Sequence, residues 1–158
     1  SQDTSRILDN YKFALNYLKD AGYNYDSFVA LQPTSPLRNA YDIDSAINLF
    51  SENETDSVIS FVKESHPIEW NRIVNKDRTY RDLGISAISN RQVYESTYHF
   101  NGAVYVFKAK LINKNKMHSD NSLAYIMPKN RSLDIDTEDD FLYAEFLMGK
   151  MKKVSIKN

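Results

Sequence analysis

The chain contains no cysteine. That rules out disulfides and thiolate-held metals, removes thiol nucleophiles, and fits a reducing compartment, so a cytoplasmic location is expected. Glycine is scarce: only Gly22, Gly84, Gly102 and Gly149 occur in 158 residues, against an average usage of about 7%. No glycine-rich or basic loop of the kind that cradles phosphates after the first strand of nucleotide-binding α/β proteins is present. No apolar run approaches the roughly 20 residues needed to span a bilayer, and no signal peptide is visible. Neither sign of charge is in excess, with 20 Lys and Arg against 21 Asp and Glu, so the footprint of a general nucleic-acid or membrane-surface binder is missing. His66, His99 and His118 lie far apart without metal-ligand spacing. No serine sits in a nucleophile elbow.

What remains is a globular composition, 42% hydrophobic and 26% charged, in a chain long enough to bury one core. It opens "SQDTSRILDNYKFAL", running into a helix with no initiator Met, and is expected to be a piece of a longer polypeptide.

Helical spacing of Ile7, Leu8, Tyr11, Ala14, Leu15 and Leu18 predicts a helix over 5–21, with Asp3 or Thr4 as cap and Gly22 at its end. "SFVALQ" (27–32) is a short buried strand stopped by Pro33. A second helix covers roughly 41–51, with Ile43, Ala46, Ile47 and Phe50 inward, and "DSVISFV" (56–62) is another strand. Helix and strand alternate, which argues for an α/β fold with a largely parallel sheet. The stretch 63–98 is polar and aperiodic, an excursion that either packs on a partner subunit or forms a surface loop with short strands. "TYHFNGAVYVF" (97–107) reads as strand around a turn at Asn101-Gly102. "SLAYIMP" (122–128) and "SLDID" (132–136) are two more short strands. A closing helix starts at "TEDDFLYAEFLM", where Thr137 and Asp140 match a capping box.

Two constellations carry chemistry. In "LQPTSPLR" (31–38), Gln32 and Ser35 each precede a proline, so the loop is stiff before anything binds. It follows a strand at the end where open α/β sheets place ligands. Gln32, Thr34 and Ser35 offer neutral hydrogen-bond groups, and Arg38 offers a fork for carboxylate or phosphate; the same residues equally suit a turn-and-cap loop. In "DIDTEDD", Asp134 and Asp136 would share one face of a strand and could hold a hard divalent cation such as Mg²⁺ with substrate phosphates. Asp136 could instead cap the last helix. "NRQ" at 90–92 alone means little.

Taken in order, "LQPTSPLR", "RQ", "NGAVY" and "DIDTEDDFLYAE" resemble the CMP-sialic acid synthetase family (acylneuraminate cytidylyltransferases) over nearly the whole chain. The resemblance implies a nucleotide-diphospho-sugar transferase-like (Rossmann-like), mostly parallel sheet flanked by helices. It also implies a reaction in which CTP and a nine-carbon 2-keto acid sugar give CMP-sugar and pyrophosphate with Mg²⁺. By matching motif, Asp134 and Asp136 would hold the metal, and Gln32, Thr34 and Ser35 would line the cleft. Arg38 would brace that loop or face an anion, while Arg91, Gln92, Asn101 and Gly102 would lie near the sugar acid. Residues 1–64 and 101–158 would form the catalytic core, and 65–100 a dimerisation excursion of a homodimer. The family's basic phosphate-binding stretch is absent and would belong upstream of Ser1, so the isolated chain is expected to bind CTP poorly and to be inactive. Some members carry an arginine shortly before "NGA"; here His99 and Phe100 stand there, which leaves the sugar open among sialic, legionaminic and related acids. The alternatives are a glycosyltransferase with its metal on Asp134-Ile135-Asp136, and a non-catalytic dimer-forming scaffold.

Overall fold

A computed structural model describes residues 2–84 and 95–155, with side chains over 7–84 and 95–150. Helix α1 (Gln2–Asp20) leads into β1 (Ser27–Ala30), α2 (Ala40–Ser51) and β2 (Ser57–Lys63). A 3₁₀ turn (Ile68–Trp70) and two short strands, β3 (Arg72–Val74) and β4 (Tyr80–Asp82), follow. The chain returns through β5 (Tyr98–Lys108), α3 (Ala109–Asn113), β6 (Ser122–Met127) and α4 (Glu138–Ser155). Because α1 begins at Gln2, Asp3 and Thr4 fall inside its first turn and do not precede it.

The main sheet has the order β1-β5-β2-β6. Strand β5 is antiparallel to both β1 and β2, and β2 is parallel to β6. Three strands therefore run one way, in keeping with the mostly parallel α/β sheet expected, and β5 runs against them in the interior. Alternation along β2 and β5 sends side chains to both faces. Ile59, Tyr105 and Phe107 pack with Leu8 of α1 and with Leu111 and Ile112 on one side. Val58, Val104, Val106 and Met127 pack against Ala46 of α2 on the other. Burial on both faces makes this a three-layer core, which fits the near-continuous apolar run of "AVYVF". On α2, Ile43 and Phe50 pack against that second cluster as expected, but Ile47 is exposed and the buried Asp42 takes an inner position.

Two expectations fail here. Asn101-Gly102 makes no hairpin turn; β5 is one strand of 11 residues that bulges at this point. Ile59 pairs with Tyr105 and Phe61 with Phe100, so residues 101–104 stand opposite the single Ser60. Such a bulge interrupts the ladder and needs other partners for its polar groups. Ser60 Oγ accepts from Val104 N at 2.8 Å and donates to Asn101 Oδ1 at 2.6 Å, and Ala103 N donates to Asn101 Oδ1 at 3.2 Å. The second failure is "SLDID", which is irregular chain and not a strand. Its described main-chain link to the preceding loop is Ile135 N donating to Thr34 O at 2.9 Å.

Within the 63–98 stretch, β3 and β4 form a separate antiparallel ribbon with Ile73 opposite Arg81.

Candidate functional site

The bulge in β5 faces the loop after β1, and the two meet at Gly102. This glycine has a φ of +73°, a region that a side chain rarely adopts. A Cβ there would lie 2.6 Å from Gln32 Oε1, 3.2 Å from Asp134 Oδ2 and 3.3 Å from Ser35 Oγ. Side chains from two segments far apart in sequence, 32–35 and 134, therefore converge on one spot of bare backbone in a third.

The loop that supplies Gln32 and Ser35 is held from inside. Ser35 is fully buried; its N–H donates to Gln32 O at 3.3 Å and its hydroxyl to Asn101 O at 3.3 Å. Arg38 Nη1 donates to Gln32 O at 3.1 Å and to Ala103 O at 2.6 Å, so the guanidinium ties the loop to the bulge. Burial pushes the Arg38 pKa down, against the opposing charge of Asp42. Asn39 then caps α2 through a capping box with Asp42.

A second brace was not foreseen from the sequence. Arg131 Nε donates to Asp42 Oδ2 and Nη2 to Asp42 Oδ1, both at 2.8 Å, and Tyr125 OH donates to Oδ1 at 3.2 Å. Burial, the largest single influence, raises the Asp42 pKa; Arg131, the Asn39 N–H and Tyr125 together outweigh it and hold the carboxyl below its ordinary range. The pair locks the segment after β6 to α2, and that segment carries Asp134. No spacing marks Arg131 in "PKNRS", because its partner lies far away in sequence.

Asp134 is the unusual member of the cluster. Its Oδ1 is buried with no hydrogen-bond partner, a costly state for a carboxylate unless something else occupies that side. Its charge, after burial and Tyr11, also helps to push the Tyr105 hydroxyl up to about 12. A cavity of about 660 Å³ opens beside this point, lined by Gln32 and Tyr105 and floored by Leu8, Ile59 and Phe100. A second cavity, about 600 Å³, opens near Tyr23 and Tyr25 and holds none of the predicted residues.

Other predicted residues stand apart from the convergence. Thr34 contributes its main-chain oxygen to Ile135. The amide of Asn101 is spent inside the fold, its Nδ2 donating to Ser132 Oγ at 3.0 Å and its Oδ1 accepting from Ser60 and Ala103. Asp136 is exposed, and its N–H donates to Asp140 Oδ2 at 3.2 Å. With no strand at 132–136, the shared face inferred for Asp134 and Asp136 does not follow. Thr137 and Asp140 form the expected reciprocal cap of α4, with Asp140 N donating to Thr137 Oγ1 at 3.2 Å. Among the described residues, no group of three or more His, Asp and Glu side chains is arranged to hold a metal by itself. Arg91 and Gln92 lie outside the described residues. No described helix is long and apolar enough to cross a membrane.

No family model matches the chain. Individual relatives do. An N-acylneuraminate cytidylyltransferase of Streptococcus agalactiae serotype III is 32% identical over 136 residues, 85% of this chain and 33% of the relative. One of Escherichia coli O18:K1:H7 is 32% identical over 158 residues, 98% of this chain and 36% of the relative. The CMP-N,N'-diacetyllegionaminic acid synthase of Legionella pneumophila is 29% identical over 154 residues, 92% of this chain and 64% of the relative. The chain thus spans about a third of the length of the first two relatives. The resemblance carried by the ordered motifs extends over most of this sequence.

Proposed function

We infer from this kinship with CMP-sialic acid synthetases that the chain is part of a cytidylyltransferase. It would activate a sialic-type 2-keto acid sugar with CTP, giving CMP-sugar and pyrophosphate. In that reaction the anomeric hydroxyl of the sugar attacks the α-phosphorus of CTP. A new P–O bond forms, the bond to the β-phosphate oxygen breaks, and pyrophosphate departs. The observation that carries the assignment is the convergence of Gln32, Ser35 and Asp134 on Gly102, beside a cavity of about 660 Å³.

The residues fall into distinct roles. Gln32 presents a neutral hydrogen-bond group to the sugar, held in place because Arg38 fixes its main chain. A preorganised loop leaves less ordering to be done on binding. Asp134 has a buried oxygen without a partner, which suits a divalent cation; one or two carboxylates plus substrate phosphates are enough for Mg²⁺. Asp134 would hold the ion together with the substrate's phosphates, and the ion would neutralise phosphate charge as it develops. Thr34, Ser35 and Asn101 act through the backbone and the bulge. We assign the location to the cytoplasm, where CTP is made.

The test is pyrophosphate release from CTP and Mg²⁺ with a panel of nonulosonic acids, using both this chain and the full product of its gene. Sugar-dependent release is expected, with CMP-sugar identified by ³¹P NMR. Release by the full product and not by this chain places the phosphate cradle outside residues 1–158; release by neither defeats the assignment. The ribbon of β3 and β4 leaves Val74 69% and Tyr80 70% exposed, and we assign residues 65–100 to a homodimer contact. Sedimentation should then give a dimer that Tyr80→Asp dissociates, and a monomeric wild type would refute the contact.

A further inference from the structure

One wall of the cavity beside Gln32 has no part in the roles above. Residues 115–120, between α3 and β6, line the cavity together with Ile59 and Tyr105 of the sheet and form a strap that is anchored at both ends. At its start, Asn115 has a φ of +59°. Its N–H donates to Ile112 O at 2.9 Å, and its side-chain oxygen accepts from Lys12 Nζ of α1. At its end, Ser119 Oγ donates to Asp56 Oδ2 at 3.1 Å and its N–H donates to Ser122 Oγ at 2.9 Å. Between the anchors, Met117 packs against the core cluster under α1. Lys116 and His118 flank it and line the cavity. A strap so fixed presents these two side chains from a defined backbone.

The chemistry of the proposed substrate gives this wall a role. A 2-keto acid sugar carries a permanent carboxylate next to its reacting carbon, and desolvating that charge without a cation or donors is costly. Arg38 spends Nη1 on two carbonyl oxygens and does not line the cavity, and Arg131 is paired with Asp42. Among the described residues that line the cavity, the side chains able to carry positive charge are Lys116 and His118, and the acidic one is Asp120. We propose that Lys116 and His118 form the receptor for the substrate's carboxylate, with Asp120 turning the anion away from its own end of the strap. The inference rests on the cytidylyltransferase assignment above and adds to it the residues that would tell a 2-keto acid from a neutral sugar.

Binding of N-acetylneuraminic acid and of its methyl ester, followed by saturation-transfer NMR on the full gene product, tests it. The ester keeps every group except the charge. Charge-assisted hydrogen bonds of this kind should make the acid bind about tenfold more tightly or better than the ester. Lys116→Ala with His118→Ala should erase that preference while ester affinity stays the same, and Lys116→Arg should keep it. A preference that survives in the double variant, or acid and ester binding alike to the wild type, overturns the receptor but leaves the cytidylyltransferase assignment standing. If neither form of N-acetylneuraminic acid binds, the same acid and ester pair of N,N'-diacetyllegionaminic acid is titrated, and if that fails too the assignment of the cavity falls and the receptor falls with it.

Discussion

Gly102 occupies a position that any other residue would enter only by displacing its neighbours. A methyl group there must clear Gln32 Oε1 at 2.6 Å and adopt a left-handed backbone, at a cost of about 1–2 kcal/mol. Gly102→Ala is therefore expected to lower stability modestly and to abolish sugar binding, because Gln32 has to move out of the cleft. Urea denaturation and the NMR titration together check this; unchanged binding in a folded variant would show that the convergence on Gly102 is not the site. At this scale the sequence was legible in part. "LQPTSPLR" identified Gln32 and Ser35 through their prolines, and the acidic cluster identified Asp134. Asn101 was misread because its turn signal is local, whereas its bonds to Ser60 and Ser132 are not.

Among the elements, the link between α2 and the segment after β6 decides how firmly Asp134 is placed. Asp42 is fully buried and receives both nitrogens of the Arg131 fork. Removing the cation leaves an unpaired buried carboxylate, so Arg131→Ala should cost about 3–5 kcal/mol. The Asp42 carboxyl is held below its ordinary range, so its ionised form is the one the fold stabilises. That contribution is fully present above the unfolded value of about 3.9 and disappears as pH falls through the folded one. The gap in urea midpoint between wild type and Arg131→Ala should accordingly be widest near neutrality and narrow in acid, because the buried carboxyl protonates first in the variant. A gap that widens below pH 4 would contradict the pairing.

The elements themselves show why some were read correctly and others not. Helices α1, α2 and α4 and strands β1, β2 and β6 follow apolar periodicity that each segment carries by itself. "SLDID" carries the same alternation, but it lies against a loop held through Thr34 O, and a strand requires a neighbouring strand. The bulge in β5 depends on Ser60, a residue of another strand, so "NG" was taken for the hairpin it usually marks.

For the molecule as a whole, the alternation of helix and strand gave the α/β class, but not the insertion of β5 between β1 and β2. Strand order and direction depend on which faces find each other, and both faces of β5 are apolar. That insertion brings the bulge to the carboxyl end of β1 and builds the cleft from segments around residues 32, 102 and 134. If this cleft is the reaction centre, a change confined to one carboxylate should stop chemistry without unfolding the protein. Asp134→Asn preserves shape and removes the charge. The decisive measurement is sugar-dependent pyrophosphate release by Asp134→Asn and wild-type full gene product in CTP and Mg²⁺, with circular dichroism confirming both folds. A fall of at least about 100-fold is expected, in line with the loss of a main electrostatic stabiliser. Release at the wild-type rate from a folded Asp134→Asn protein would place the chemistry elsewhere.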